Sequence, residues 1–375
     1  MKINIVFVGP FPVGMAATNR LTSYARGLAN QGNEINLLLL RGSEKHNQAV
    51  NKNKSGIYKD IKFSYLTSNI APNNYFLKML YALIGIIKSM FKVKKGEVVI
   101  FHAVDKPSII LATLMYILID IKAFWIRDEK PIILNNFYWR ALVNFTFQGI
   151  IVMTNEINAY IKAFLPAKKT FVLPITIDFD RFNVPENKIA LKYKNYFCYV
   201  GLNNPKRDGF ELLLQAFLKY KSSYNSNECL LCIGDANKPD VQNIIAQYKT
   251  YPHFSSIVFL GKYSGLELIT FMKNSMALIT TPIYIESLGF PSKLAEYLAS
   301  KRPVITTNVG EIPTFLSKNS AILCYPEISD ISAALHFVST NVQIADEIGK
   351  NGYSTAEKYF NIDTYINELS NFLYV

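Results

Sequence analysis

The 375-residue chain is short of cysteine, of acidic residues and of long unbroken apolar runs. Its four cysteines, Cys198, Cys229, Cys232 and Cys324, are too few for a disulfide framework. The one close pair, Cys229-Leu-Leu-Cys232, lacks the second pair that a zinc site needs and lies in a strand-like apolar run. Buried thiols in a reducing compartment are expected. The longest apolar stretch, Ile109 to Ile119, stops at Asp120 and Lys122 and is too short to span a bilayer. The chain starts directly on a strand-like segment, Lys2 to Val8, closed by Gly9-Pro10, so no cleaved leader is expected, and the cysteine usage fits a reducing cytoplasm. Acids number 28 against 40 lysines and arginines, a net charge of +12 that favours anionic partners: nucleotide phosphates, a membrane surface or nucleic acid. With no nucleic-acid motif and no basic tail, nucleic acid is set aside. No glycine loop has the Gly-x-Gly-x-x-Gly spacing of a dinucleotide fingerprint.

What is present is ample apolar mass. Half of the residues are hydrophobic, including 25 Phe and 23 Tyr, and the length suits two cores. Strand, glycine loop, helix and strand follow one another from residue 3 to residue 40, with helical spacing at Leu21, Tyr24, Ala25 and Leu28. That order predicts a βαβ unit of a doubly wound parallel sheet, whose ligands gather at the carboxyl ends of strands. The order resumes at Tyr196 to Gly201, after a Lys-rich linker containing Pro185, and continues through Cys229–Gly234, Ile257–Gly261 and Ala277–Thr281. Gly352 to Val375 reads as one terminal helix.

Residues 278–309 organise the chain. A strand ends near Thr281, a polar loop follows, and Pro291 opens a short helix at the position where its fixed φ fits. Leu294, Tyr297 and Leu298 make the apolar face of that helix, leaving Ser292, Lys293 and Glu296 on the polar side. Unpaired N–H groups and the positive end of the dipole meet there, which suits a diphosphate or simply a solvated helix start. Tyr75 to Lys95 carries apolar runs with Lys78, Lys88, Lys92, Lys94 and Lys95 and no acid. It reads either as a core helix with a basic end or as a patch resting on anionic lipid. His102 closes one strand, and Arg127-Asp128-Glu129-Lys130-Pro131 follows the next.

The segment Gly289-Phe290, Glu296, Pro303-Val304 resembles the donor-binding segment of the family 4 glycosyltransferases, retaining enzymes of the GT-B fold. The likeness extends to the opening loop and to Ile177-Asp178-Phe179-Asp180-Arg181-Phe182, similar to the family's crossing into its second domain. It implies two Rossmann-like α/β domains facing a central cleft: residues 1–178 on the acceptor side, 179–355 binding the nucleotide sugar, and 356–375 packing back on the first domain. It implies a metal-independent transferase with no cofactor, moving sugar from a nucleotide sugar to a glycan or lipid-linked acceptor in surface polysaccharide or glycolipid synthesis. A peripheral position on the inner membrane face, through residues 75–95, accompanies that setting.

By resemblance Gly14 lets the opening loop approach the diphosphate, Gly201, Pro291, Ser292 and Lys293 belong to the donor site, where the N–H groups of Ser292 and Lys293 and the Lys293 charge suit the phosphates, Glu296 takes the ribose, and Lys262 lies near the base. Lys206, Arg207, Glu286 and His102 are the catalytic candidates, and Arg20, Asp128 and Glu129 the acceptor-side ones. Two departures stand out. The family's first glutamate is Leu288 here, with Glu286 two residues early, and its Arg and Lys positions after Gly201 carry Leu202 and Asp208. An epimerase of the same fold, a non-catalytic donor-binding relative and a membrane-docking protein are the alternatives left open.

Overall fold

The computed structural model describes residues 1–14, 16–46, 49–102, 106–183, 193–202, 205–283 and 290–374. The first half of the chain runs β1 (Lys2–Phe7), α1 (Ala16–Asn30), β2 (Glu34–Leu39), β3 (Ser55–Tyr58), β4 (Ile61–Tyr65), α2 (Tyr75–Met90) and β5 (Val98–His102). It continues with α3 (Lys106–Ile119), β6 (Lys122–Arg127), α4 (Phe137–Thr146), β7 (Gly149–Val152), α5 (Asn155–Phe164) and β8 (Lys169–Val172). The second half opens with β9 (Tyr196–Val200), α6 (Phe210–Tyr224), β10 (Cys229–Ile233), α7 (Pro239–Tyr248), β11 (Ile257–Gly261), α8 (Gly265–Lys273) and β12 (Ala277–Thr280). Then come α9 (Ser292–Ala299), β13 (Val304–Thr307), α10 (Ile312–Phe315), β14 (Ile322–Cys324), α11 (Ile328–Thr340), α12 (Val342–Phe360) and α13 (Ile366–Tyr374).

These elements form two compact units. The first is Met1–Asp178 with Ile362–Val375, the second Phe179–Glu286 with Phe290–Asn361. In the first, eight strands lie in the order β3-β4-β2-β1-β5-β6-β7-β8, parallel except for the β3–β4 hairpin. Its strands read as almost unbroken apolar runs because both faces are covered. One face packs on α1 and α13 through Leu21, Tyr24, Leu28, Ile366 and Leu369. The other packs on α3, α4 and α5 through Ile109, Met115, Val143, Ile157 and Ile161.

The second unit is a six-stranded sheet, β11-β10-β9-β12-β13-β14, parallel throughout. Its core gathers Phe197, Tyr199, Phe210, Phe217, Tyr220 and Leu335. Cys198 and Cys232 are buried and all four thiols are free. Burial pushes the Cys324 thiol up to about 12, which removes it from thiolate chemistry at neutral pH.

Two readings of local structure change. The expected single terminal helix breaks at Asn361, so α12 ends in the second unit and α13 belongs to the first. The reason is packing: Ile362 and Ile366 fill the space above Gly27 of α1, where a Cβ would lie 2.7 Å from Ile362. The core-helix reading of residues 75–95 also fails, because only Gly85 and Ser89 of α2 are buried. Gly85 is required there, since a Cβ would meet the Leu40 carbonyl oxygen at 2.1 Å.

Candidate active site

Strand order reverses beside the first strand of each sheet, at β9/β12 in the second unit and at β1/β5 in the first. Loops leaving neighbouring strands in opposite directions open a crevice at such a point. In the second unit the described parts of these loops are Gly201, Leu202 and residues 205–209 after β9, and residues 281–283 and 290–291 after β12. Gly201 and Gly209 both have positive φ, +100° and +65°. A Cβ on Gly209 would fall 1.7 Å from the Thr281 carbonyl oxygen, so the loop is seated directly on the end of β12. The Thr281 hydroxyl closes the seam by donating to the Gly209 carbonyl at 2.9 Å.

Above this seam sits a charged seat. Lys293, the second residue of α9, crosses the face of Tyr199 at 4.9 Å and donates to Asp208 Oδ2 at 3.2 Å. Arg207 Nε donates to the other oxygen, Oδ1, at 2.9 Å. The Asp208 side chain is only 14% exposed, so two cations converge on one shielded carboxylate. Burial lowers the Lys293 pKa, with Asp208 opposing and Arg207 reinforcing the shift. A Cβ at Gly201 would come within 2.9 Å of Lys293 Nζ, so glycine leaves room for the ammonium.

One turn further along α9, Glu296 accepts from Arg181 NH1 at 2.8 Å. Pro291 is the N-cap rather than the first helical residue, and among the described residues no side chain caps the helix. Leu202, at the family's arginine position, is 1% exposed and belongs to the core. Lys206 is exposed on the same loop. Lys262 pairs with Asp235 at 2.8 Å across the ends of β11 and β10. The structure therefore brings together Gly201, Arg207, Asp208 and Lys293, and separately Glu296 and Arg181. Glu286 lies outside the described residues.

Arg181 had no role in the sequence reading. The Asp-Phe-Asp-Arg-Phe segment identified a crossing, but only the fold reveals that its 3-10 turn presents Arg181 to α9. Asp208 was noted as a departure, and its pairing became visible only once β9 and α9 were adjacent.

In the first unit the reversal point holds a buried relay. Tyr24 of α1 shares a hydrogen bond with His102 Nδ1 at 2.9 Å, and His102 Nε2 meets Asp128 Oδ2 at 3.2 Å. Arg20 pairs with the other Asp128 oxygen and also donates to the Leu173 carbonyl at 2.8 Å. Arg20 and His102 are each 1% exposed, so Arg20 is not the surface charge that its helix-start position allowed. Burial would raise Asp128, but the Arg20 guanidinium and the His102 and Arg127 side chains outweigh it and hold the carboxyl well below the usual range. Both ring nitrogens of His102 are thus engaged, one with Tyr24 and the other with Asp128. Glu129, next in sequence, is exposed. Gly14 is demanded internally, since a Cβ would strike the Thr18 hydroxyl at 2.2 Å. Among the described residues no cluster of three or more His, Cys, Asp or Glu is placed to hold a metal ion.

Comparison with known proteins bears on the second unit most directly. Residues 194–341 match the model of the group 1 glycosyl transferases. That stretch runs from the strand before Gly201 through α11 and includes Asp208, Lys293 and Glu296. A search of curated protein sequences finds no match. Among solved structures, the sucrose-phosphate synthase of Thermosynechococcus elongatus is 14% identical, with a TM-score of 0.73 over 99% of this chain and 98% of that one. HepE of Anabaena, solved with UDP and glucose, is 13% identical with a TM-score of 0.71 over 100% and 99%. A glycosyltransferase of Rickettsia africae is 17% identical with a TM-score of 0.70 over 99% and 97%. The fold of the chain is GT-B.

Proposed function

We propose that the protein is a retaining glycosyltransferase that moves a sugar from a nucleoside diphosphate sugar to an acceptor hydroxyl. The observation that carries this reading is the seat after β9, where Lys293 and Arg207 already converge on an anion beside the start of α9. A diphosphate leaving group is an anion of larger charge, and cations fixed before reaction stabilise its departure without reorganisation. Lys293, Arg207 and the exposed Lys206 would bear that charge, with the N–H groups of Ser292 and Lys293 at the helix start. Glu296, held by Arg181, is positioned to accept from ribose hydroxyls, and Lys262 lies on the base side. The match to the group 1 glycosyl transferases supports the reaction class, and the UDP in the HepE crystal supports a uridine donor as the first to try.

We assign the acceptor side to the first unit, with Asp128 and Glu129 after β6 and Arg20 fixing Asp128. An acceptor that is a glycan or a lipid-linked sugar fits a surface-polysaccharide or glycolipid role. Side-chain cations make a metal dispensable in this scheme. The donor phosphate takes the acceptor proton on the face from which it departs, which retains the anomeric configuration, and Glu286 would orient the transferred sugar.

Calorimetric titration with UDP and GDP tests the donor site. Lys293→Ala and Glu296→Ala should each weaken binding at least about tenfold, the scale of one charged hydrogen bond, while melting cooperatively. Unchanged affinity in both folded variants removes the assignment. The Asp208 carboxylate between the cations favours one second reading, donor binding without transfer. Release of UDP from UDP-sugars in the presence of acceptor glycans distinguishes the two.

A further inference from the structure

Among the described residues, the outer faces of α2, α3 and α4 form the largest concentration of exposed apolar side chains. On α2, Phe76, Leu80, Leu83, Ile87 and, just past its end, Phe91 recur at i, i+4, i+7, i+11 and i+15 and are 39–85% exposed. Such a stripe normally faces the core; here it faces away, while Gly85 and Ser89 are buried and Ile86 and Met90 pack half-buried against the core. On α3 the same pattern appears at Ile110, Leu114, Ile117 and Leu118, 41–67% exposed. On α4, Tyr138 and Phe145 share a face at 76% and 56% exposure. The three helices are neighbours in one layer, α2 against α3 and α3 against α4. A soluble monomer rarely leaves so much contiguous apolar surface without a partner.

Charge decides which partner. None of the three helices contains an Asp or Glu, whereas Lys78, Lys88, Lys106 and Arg140 lie on them and Lys92, Lys94 and Lys95 follow α2. At the rim, a groove of about 360 Å³ is lined by Lys54, Lys88, Lys92, Ser55, Ser64 and Phe91. Three lysines and two serines beside the exposed Phe91 ring make a lining that suits a lipid phosphate headgroup with its acyl chain alongside. No helix among the described residues is long and apolar enough to cross a membrane, so the matching mode is lying on the surface with side chains dipped into the headgroup boundary.

We infer that α2, α3 and α4 together form a docking face for an anionic lipid bilayer, with the Lys54–Lys88–Lys92 groove seating a headgroup phosphate. This inference stands apart from the transferase reading, because its test needs no substrate.

The test is co-sedimentation of the full chain with vesicles of phosphatidylcholine alone and of phosphatidylcholine with an equal part of phosphatidylglycerol. The protein should pellet with the mixed vesicles and stay in solution with the neutral ones. Leu83→Glu/Ile87→Glu on α2 and Ile117→Glu/Leu118→Glu on α3 should each abolish pelleting. All four positions are exposed, so melting temperatures should hold, and circular dichroism checks this. Lys88→Gln/Lys92→Gln should cost roughly 30-fold in vesicle affinity, about a factor of five per lysine. Three results would overturn the inference: no binding to either vesicle, equal binding to both, or a dimer in light scattering that the α2 variant dissociates. If the α3 variant alone binds normally, the face is not the three-helix surface argued here.

Discussion

Replacing Asp208 by Asn keeps the side chain's shape and removes its charge from between Arg207 and Lys293. If that seat receives a diphosphate, the carboxylate competes with the ligand for both cations and repels it. At an effective dielectric constant of about 20 and a separation of about 5 Å, each unit charge of repulsion is worth ~3 kcal/mol, and salt and relaxation trim the net to about 1.5–3 kcal/mol. Asp208→Asn should therefore tighten UDP binding by about 10- to 100-fold. The folded protein should at the same time lose about 1 kcal/mol, because two partly exposed cations lose their anion. Rising affinity with falling stability is a combination that general damage does not produce.

The alkaline limb supplies a second readout. Burial already lowers the Lys293 pKa while Asp208 raises it, so removing Asp208 lowers it further. UDP affinity, which needs the ammonium, should then fall away at lower pH in the variant than in the wild type. Calorimetry across alkaline pH at two ionic strengths measures both effects. Unchanged or weaker UDP binding by a folded Asp208→Asn protein would refute the competition argument and make Asp208 part of the donor-holding set.

Other outcomes follow from single contacts. Arg181→Ala should weaken UDP binding to about the same extent as Glu296→Ala, and the double variant should add little, since the pair acts as one unit; additive losses in calorimetry would show independent roles. Gly209→Ala forces a left-handed residue and drives a Cβ to 1.7 Å from a backbone oxygen, so urea unfolding should report a loss of about 3 kcal/mol or more. Asp128→Asn strands the buried Arg20 and should cost about 3 kcal/mol at neutral pH. Because the folded-state pKa of Asp128 is depressed, its contribution is complete above the unfolded value, about 3.9, and is lost as pH falls below it. The gap between wild type and variant should thus narrow in acid denaturation; a gap that persists unchanged below pH ~3 would contradict that origin.

Much of this protein was legible in the order of its residues. Apolar strands ending in Gly9, Gly201, Gly234 and Gly261 and alternating with helical patterns specify doubly wound parallel sheets, because period and glycine placement are local properties. The start of α9 was legible for the same reason: Pro291 fixes its entry and Leu294, Tyr297 and Leu298 fix which side is buried. Tertiary structure decided everything that depends on which loops become neighbours. Asp208 reads as a turn residue until β9 and β12 pair and bring Lys293 over it. Arg181 reads as part of a crossing until its turn meets Glu296, 115 residues away. His102 reads as a free imidazole at a strand end, yet Tyr24 and Asp128 close on it from α1 and β6 and occupy both nitrogens. The apolar stripe of α2 could equally have been core. Sequence periodicity records that a helix has an apolar side, and only the packing of Gly85 on Leu40 determines that this side faces outward.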